Sequence, residues 1–192
     1  DVNTAIKDQI DKGISFSLAH ESEVELAEEL VDIIPCAEMV RFGKNGSDAT
    51  SAAIRLARAY TKRDHVIVCG YHGWHDWYIA STVRSNGVPK VVNQLTHTFV
   101  YNDIESLHEL YKKYPNQIAA VILEPINHCL PENNFLERVK ETAHQYGSLL
   151  IFDEVITGFR YSLGGAQKYF NVTPDLACFG KAMGNGMPIS AL

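Results

Sequence analysis

The sequence predicts an α/β fold in which a mainly parallel sheet is covered by helices on both faces. Short apolar stretches alternate along the chain with stretches that have the spacing of amphipathic helices. The apolar stretches are apolar throughout instead of alternating with polar residues, which is typical of strands buried on both sides. With 192 residues, of which 46% are apolar, the chain is long enough to bury a substantial core.

Helical spacing recurs between the apolar stretches. Val2, Ile6 and Ile10 share one face of an N-terminal stretch, and a second helix begins near Glu21 and ends before Pro35. We interpret Ser22 and Glu25 as a capping box of the second helix. Further helices are predicted over residues 48–60, 102–113 and 135–146.

Strands are predicted wherever a short run of β-branched and other apolar residues lies between turn residues. The final residues, 188–192, have the pattern of a strand that is just beginning. The other predicted strands cover residues 39–42, 65–69, 118–123, 149–152 and 176–179, with weaker candidates at 91–92 and 97–100.

Unusual residues follow these strands. In a parallel sheet, ligands bind at the carboxyl ends of the strands, so the turns after Phe42, Cys69, Leu123, Phe152 and Phe179 are expected to converge on one site. The sequences of those turns are GKNGS, GYHGWH, EPINH, DEVITGF and GKAMGNG.

Composition argues against several classes of function. The net charge is −6 and no block of lysine or arginine is present, which disfavours a nucleic-acid surface or a polybasic membrane surface and favours small-molecule chemistry. The four cysteines form no CxxC pair, which argues against a zinc knuckle, a redox dithiol or a disulfide framework and fits a reducing, cytoplasmic setting. No apolar run reaches membrane-spanning length, and the N-terminus lacks the pattern of a signal peptide.

The turn from Gly43 to Thr50 leads glycines into a helix. Its free backbone N–H groups and the hydroxyl of Ser47 could hold a phosphate, although Ser47 or Asp48 could equally be an ordinary helix cap. Neither GxxxxGK[ST] nor GxGxxG is present.

Aromatic rings crowd the next turn, from Gly70 to Tyr78. They could form a platform that stacks on a planar ligand, or they could belong to the core or to an interface. His72 and His75 raise the alternative of a metal site, but HExxH is absent and no third ligand is evident.

Two carboxylates and a lysine complete the unusual set. Asp153 and Glu154 end a buried strand, where an unpaired charge is costly, so a cation or strong donors are expected beside it. A structural salt bridge is one interpretation, and a glycosidase carboxylate pair with Glu124 is another. Lys181 lies between Gly180 and Gly184, and we expect it to be partly desolvated and nucleophilic, the alternative being a solvated loop lysine. An amine, a buried acid, an aromatic ring and a phosphate cradle together suit pyridoxal phosphate.

These runs resemble those of a known family. LLIFDEVITGFR, from Leu149 to Arg160, and PDLACFGKAMGNGMP, from Pro174 to Pro188, are similar to class-III (subgroup II) pyridoxal-phosphate aminotransferases of the glutamate-1-semialdehyde aminomutase type. NGSDA, YHG and LEP resemble the family's phosphate-binding, ring-stacking and strand-end motifs. The resemblance covers nearly the whole chain.

The resemblance implies a large domain of fold-type I, a pyridoxal 5′-phosphate cofactor and a homodimer whose active sites lie at the subunit boundary. It implies that Lys181 forms the Schiff base and that Asp153 pairs with the pyridine nitrogen. Tyr71 and Val155 would lie on the two faces of the ring. The remaining cofactor-binding residues would be Gly46 and Ser47 at the phosphate and His72 and Glu124 near the ring.

The chain departs from the family pattern after Glu124. Where the aminomutases have a Gly-Asn pair, this chain has His128-Cys129, and the neighbouring Asn127 could substitute for the asparagine. By comparison with the family, residues 1–34 would be an N-terminal helical segment, residues 35–192 an incomplete cofactor-binding large domain, and the C-terminal small domain would be absent.

The function that we predict is amino-group transfer between a small-molecule amino donor and a carbonyl acceptor, either by an aminotransferase or by an intramolecular aminomutase. Two alternatives stay open. One is a pyridoxal-phosphate enzyme with another reaction outcome, and the other is a non-catalytic or degenerate relative of the same fold.

Overall fold

The computed structural model describes residues 1–192. The strands are β1 Phe42–Gly43, β2 His65–Cys69, β3 Thr96–Thr98, β4 Ile118–Leu123, β5 Leu149–Asp153, β6 Leu176–Cys178 and β7 Ser190–Ala191. The helices are α1 Val2–Lys12, α2 Glu21–Ile33, α3 Gly46–Thr61, α4 Asp76–Ile79, α5 Lys90–Asn93, α6 Ile104–Lys113, α7 Phe135–Gln145 and α8 Gly165–Phe170, and a 3₁₀ turn covers Lys181–Gly184. No helix is both long enough and apolar enough to cross a membrane.

Five strands form one parallel sheet in the order β3-β2-β4-β5-β6, which confirms the predicted architecture. β4 is central and every one of its residues is buried, as its uniformly apolar sequence requires. One apolar cluster packs α6 and α7 against one face of the sheet, and a second packs α3 against the other. The strands therefore end along one edge, where the turns after β2, β4, β5 and β6 lie side by side.

β1 does not belong to this sheet. It pairs antiparallel with β7, so that Phe42 lies opposite Ala191. The strand predicted at residues 39–42 is therefore displaced, and its turn reaches the site through α3 instead of through the parallel sheet. The strand that the final residues predict is present as β7.

Two local predictions were wrong. Residues 91–92 lie in the short helix α5 and not in a strand, because Pro89 begins a helical turn there and the segment is largely exposed. The capping box of α2 lies two residues earlier than predicted: the His20 Nδ1 accepts from the Ser22 N–H at 3.2 Å, and the Glu23 carboxylate accepts from the His20 N–H at 3.2 Å. A histidine at this position provides the acceptor that Ser or Asp usually provides.

The start of α3 is packed directly on the turn that follows β2. The Thr50 hydroxyl donates to the carbonyl of His72 at 2.9 Å. Gly73, at φ +101°, lies so close to Ser47 that a Cβ there would stand 2.3 Å from the Ser47 Oγ and 3.1 Å from its Cα. Only glycine combines this backbone conformation with this close approach.

A pair of histidines joins β2 to β3. The His65 Nδ1 lies 2.8 Å from the His97 Nε2, and the ring of Tyr114 stacks on His97 with the centroids 4.0 Å apart. Burial, together with the charges of His65 and Lys113, lowers the pKa of His97 to about 4. Burial also lowers the pKa of His65. Both rings are therefore neutral in the folded protein near pH 7.

Substituting His97 with glutamine should reduce the acid sensitivity of the fold. Since the folded-state pKa of His97 lies below its unfolded value, its contribution to stability is present above about pH 6.5 and is lost as the pH falls towards about 4. Urea unfolding at pH 7.5 and pH 5 should show that His97→Gln loses about 1 kcal/mol less stability on acidification than the wild type does. An identical loss in both proteins would contradict this role for His97.

Substituting Gly73 with alanine should show how much unfolding free energy the close contact with Ser47 costs beyond the cost of backbone strain. Gly87, at φ +89° with no atom within 4 Å of an added Cβ, provides the matched control. We expect Gly87→Ala to cost about 1 kcal/mol of unfolding free energy through backbone strain alone. Gly73→Ala should cost about 1–3 kcal/mol more because the methyl group meets Ser47. Equal losses in denaturant unfolding would contradict the packing of α3 on this turn.

Candidate active site

A cavity of about 370 Å³ opens at the carboxyl edge of the parallel sheet. It is lined from four turns of the sheet and from the start of α3. All eight of the site residues that the sequence predicts lie in its wall: Gly46, Ser47, Tyr71, His72, Glu124, Asp153, Val155 and Lys181.

Asp153 is the last residue of β5, and its carboxylate is buried. Its Oδ2 lies 2.8 Å from the Nδ1 of His72, which is itself almost inaccessible to solvent. Its Oδ1 accepts from the N–H of Val155 at 3.1 Å. The His72 Nε2 donates to the carbonyl of Cys69 at 3.1 Å, which fixes the ring. The buried acid thus has the strong partner that its position requires.

Glu154 points away from the cavity, although it follows Asp153 directly. It is completely buried and accepts from the Thr157 hydroxyl at 2.7 Å, from the backbone N–H groups of Ala166 and Gln167, and from the Gln167 side chain at 3.2 Å. These donors satisfy both carboxylate oxygens at the start of α8. Glu154 is therefore structural, and the two adjacent carboxylates do not act as one pair.

Glu124 follows β4 and is largely buried at the cavity wall. Its Oε2 accepts from the N–H of Tyr71 at 3.0 Å and from the Nδ2 of Asn127 at 2.9 Å. Burial raises the pKa of Glu124, while the Tyr71 N–H and the charges of His72 and Lys181 oppose that rise. The site therefore contains a carboxyl group that gains a proton more readily than an exposed glutamate does.

The start of α3 presents backbone donors to the cavity. Asn45 caps the helix by accepting from the Asp48 N–H at 3.1 Å, and the Asp48 carboxylate accepts in return from the Asn45 N–H at 3.2 Å. The N–H groups of Gly46 and Ser47 lie in the first turn, where no intrahelical acceptor exists. Together with the helix dipole they form an anion-binding position. A Cβ on Gly46 would stand 2.9 Å from Val155, so that the helix start and Val155 are in direct contact.

Aromatic side chains crowd the turn after β2. Tyr71 meets Tyr78 edge-on with the centroids 5.6 Å apart, and Tyr78 is fixed by donating to the carbonyl of Gly70 at 2.8 Å. Tyr71 lines the cavity and is 58% exposed. His75 instead bonds to the Ser51 hydroxyl at 2.7 Å, and no group of three or more His, Cys, Asp or Glu side chains is arranged to hold a metal ion.

Lys181 begins the 3₁₀ turn that follows β6 and has a backbone φ of +44°. A left-handed conformation is costly for a residue with a long side chain, so the surrounding turn must hold it in place. Lys181 is exposed in this chain, and the expected partial desolvation of its amine stays a prediction. The 3₁₀ turn lies at the mouth of the cavity, since Lys181 both lines the cavity and is exposed.

Several residues of the cavity were not predicted as site residues. Asn127 lies outside the cavity lining, and its contact with Glu124 depends on a local fold that no motif signals. The lining is completed by Lys44, Asn45, Thr50, Gly73, Ile156, Met187 and Ile189, and by Trp74 from the aromatic turn that the sequence had already singled out. The sequence signal that could have identified these residues is their position next to the predicted site residues, in the same turns.

Comparison with known proteins identifies the family. The profile of the class-III aminotransferases matches residues 1–192, the whole chain. A 3-aminobutyryl-CoA aminotransferase from Cloacimonas acidaminovorans is 45% identical and aligns with 100% of this chain and 47% of its own length. A glutamate-1-semialdehyde 2,1-aminomutase 2 from Lachnoclostridium phytofermentans is 46% identical over 98% of this chain and 48% of that protein.

Solved structures agree with this result. A transaminase with PLP bound superimposes with a TM-score of 0.91 at 30% identity, covering 98% of this chain and 47% of that chain. The chain thus spans about half the length of the curated relatives it matches. The resemblance drawn from the sequence motifs is confirmed: this chain belongs to the class-III aminotransferase family.

Proposed function

We propose that the protein containing this chain is a pyridoxal-phosphate enzyme that transfers an amino group from a small-molecule donor to a carbonyl acceptor. Family membership and the PLP-bound relative support this proposal. The observation that carries it is the convergence of the eight predicted site residues, from five separate turns, on one cavity. An aminotransferase and an aminomutase are almost equally similar to this chain in sequence, so both reaction types belong to the proposal.

The residues present fit pyridoxal phosphate. The first N–H groups of α3, with Gly46 and Ser47, are suited to its phosphate. The Asp153 carboxylate, held by His72, is suited to the protonated pyridine nitrogen. Tyr71 and Val155 would contact the two faces of the ring.

When bound, pyridoxal phosphate supplies an electron sink for the carbanion formed at the substrate carbon. Lys181 would hold it covalently through Nζ, and the same amine, once displaced by the substrate, would take and return a proton as general base and acid. Asp153 would keep the pyridine nitrogen protonated. His72 would keep Asp153 oriented, because its ring is fixed from the other side by the carbonyl of Cys69.

We further propose a homodimer with active sites at the subunit boundary. The family resemblance supports it, as does the exposure of the rings and the lysine at the cavity mouth, where Trp74 is 68% exposed. In this proposal residues 1–34 form a helical segment that leads into a cofactor-binding domain, residues 35–192. The four free cysteines support a cytoplasmic location.

Borohydride reduction should attach the cofactor to Lys181. The full-length protein, purified with pyridoxal phosphate, is expected to show a yellow chromophore that borohydride bleaches, and peptide mapping should find the label on Lys181. Lys181→Ala should lose both the label and amino-group transfer. Because Lys44 also lines the cavity, a label on Lys44 would contradict the assignment.

Asp153→Asn should leave the cofactor bound but slow amino-group transfer by about 10²- to 10⁴-fold, because the amide carries no charge to hold the pyridinium proton. Steady-state kinetics with a saturating cofactor concentration would measure this. Asp175→Asn is the matched control, since Asp175 forms the other carboxylate–histidine pair, with His144 at 2.8 Å, at an exposed position outside the cavity. Comparable losses in both variants would indicate a general loss of structure and contradict the role of Asp153.

A further inference from the structure

A chain of hydrogen bonds follows β4 and ends at the cavity wall. The Asn127 Nδ2 donates to the Glu124 Oε2 at 2.9 Å. The Asn127 Oδ1 accepts from the backbone N–H of His128 at 2.8 Å and lies 2.8 Å from the His128 Nδ1. Asn127 therefore connects the segment in which this chain departs from the aminomutase pattern to a carboxyl group of the candidate active site.

Backbone donors fix the direction of the hydrogen bonds that Asn127 and Glu124 make. A backbone N–H can only donate, so the His128 N–H identifies the oxygen of the Asn127 amide and leaves the Nδ2 to face Glu124. The Tyr71 N–H, at 3.0 Å from the same Glu124 oxygen, likewise can only donate. The Glu124 Oε2 is consequently an acceptor of two hydrogen bonds.

The other carboxyl oxygen of Glu124 is left for a ligand. Oε1 makes no hydrogen bond within the chain, and it is not among the buried side-chain atoms that lack a partner, so it is accessible at the cavity wall. A proton on this carboxyl group must lie on Oε1, because two donors already face Oε2. Both polar ends of Asn127 are engaged within the chain, and Asn127 does not line the cavity.

We propose that Asn127 is a positioning residue that orients the Glu124 carboxyl so that its Oε1 faces a polar atom of the ligand in the cavity. This inference rests on the proposed function, which supplies the ligand, pyridoxal phosphate with or without its amino substrate. Glu124 would contact the ligand directly, whereas Asn127 would act only by orienting Glu124.

Burial and the neighbouring groups act on the pKa of Glu124 in opposite directions. Burial is the main cause of the raised pKa of Glu124, and the nearby charge of Asp153 adds to it. The turn after β2 also packs tightly on this carboxyl group, since a Cβ on Gly70 would stand 2.4 Å from the Oε2. The charges that shift the pKa of Glu124 are those of His72, Asp153 and Lys181. Glu124 in turn raises the pKa of Cys69, Tyr78 and Tyr101.

The titration of Glu124 tests the positioning role directly. In the full-length protein without cofactor, labelled with ¹³C at the glutamate carboxyl carbons, the resonance that disappears in Glu124→Gln is assigned to Glu124. Its midpoint should lie above those of the exposed glutamates. Asn127→Leu removes a donor that favours the carboxylate, so the midpoint should rise by about 1 pH unit. Asn127→Ala serves as the second variant if the leucine variant does not fold.

His128→Ala is the matched control, because it removes the ring but keeps the backbone N–H that orients Asn127. Its Glu124 midpoint should stay at the wild-type value. An unchanged or lowered midpoint in both Asn127 variants would overturn the positioning role, because Asn127 would then not favour the charged form.

Addition of pyridoxal phosphate tests the ligand contact. The Glu124 resonance of the wild type should shift on binding, and equilibrium dialysis should show binding about tenfold weaker in Asn127→Leu. Binding without any change at Glu124 would overturn this inference alone. Absence of binding by the wild type would overturn the proposed function as well, and the titration would still report whether Asn127 acts on Glu124.

Discussion

The bond between His72 and Asp153 is the interaction on which the candidate site depends. A carboxylate at the end of a buried strand is stable only with a close partner, and His72 provides it at 2.8 Å. The two residues are 81 positions apart in the sequence and belong to turns after different strands. Their contact requires β2, β4 and β5 to be parallel neighbours whose carboxyl ends lie on one edge of the sheet. The chemistry of the site is thus a consequence of the strand order.

The turns at this edge form a single packed unit. Glu124 lies against the backbone of Gly70 and Tyr71, Gly73 lies against Ser47, and Gly46 lies against Val155. Each glycine allows one turn to approach the next more closely than a side chain would permit. The groups that would bind the phosphate, the ring and the covalently bound carbon of the cofactor are consequently held by mutual contact, so that a change at one turn is transmitted to its neighbours.

The sequence predicted the central strands and the members of the site because their signals are local. β4 and β5 are uniformly apolar, and the lysine, the buried acid, the glycines and the aromatic residues stand directly at strand ends. Other features depend on contacts between distant segments. The pairing of β1 with β7 is set by such contacts, as is the separation of Asp153 from Glu154, which follows from the position of α8. The exposure of Lys181 depends on its place at the cavity mouth, and the bond from Asn127 to Glu124 depends on a turn that no residue pattern identifies.

The most direct measurement of the central claim is a crystal structure of the full-length protein with pyridoxal phosphate. The account predicts the Asp153 carboxylate within hydrogen-bonding distance of the pyridine nitrogen, with His72 still bound to its other side and the phosphate at the first turn of α3. A cofactor bound elsewhere, or in the same cavity with its pyridine nitrogen turned away from Asp153, would contradict it.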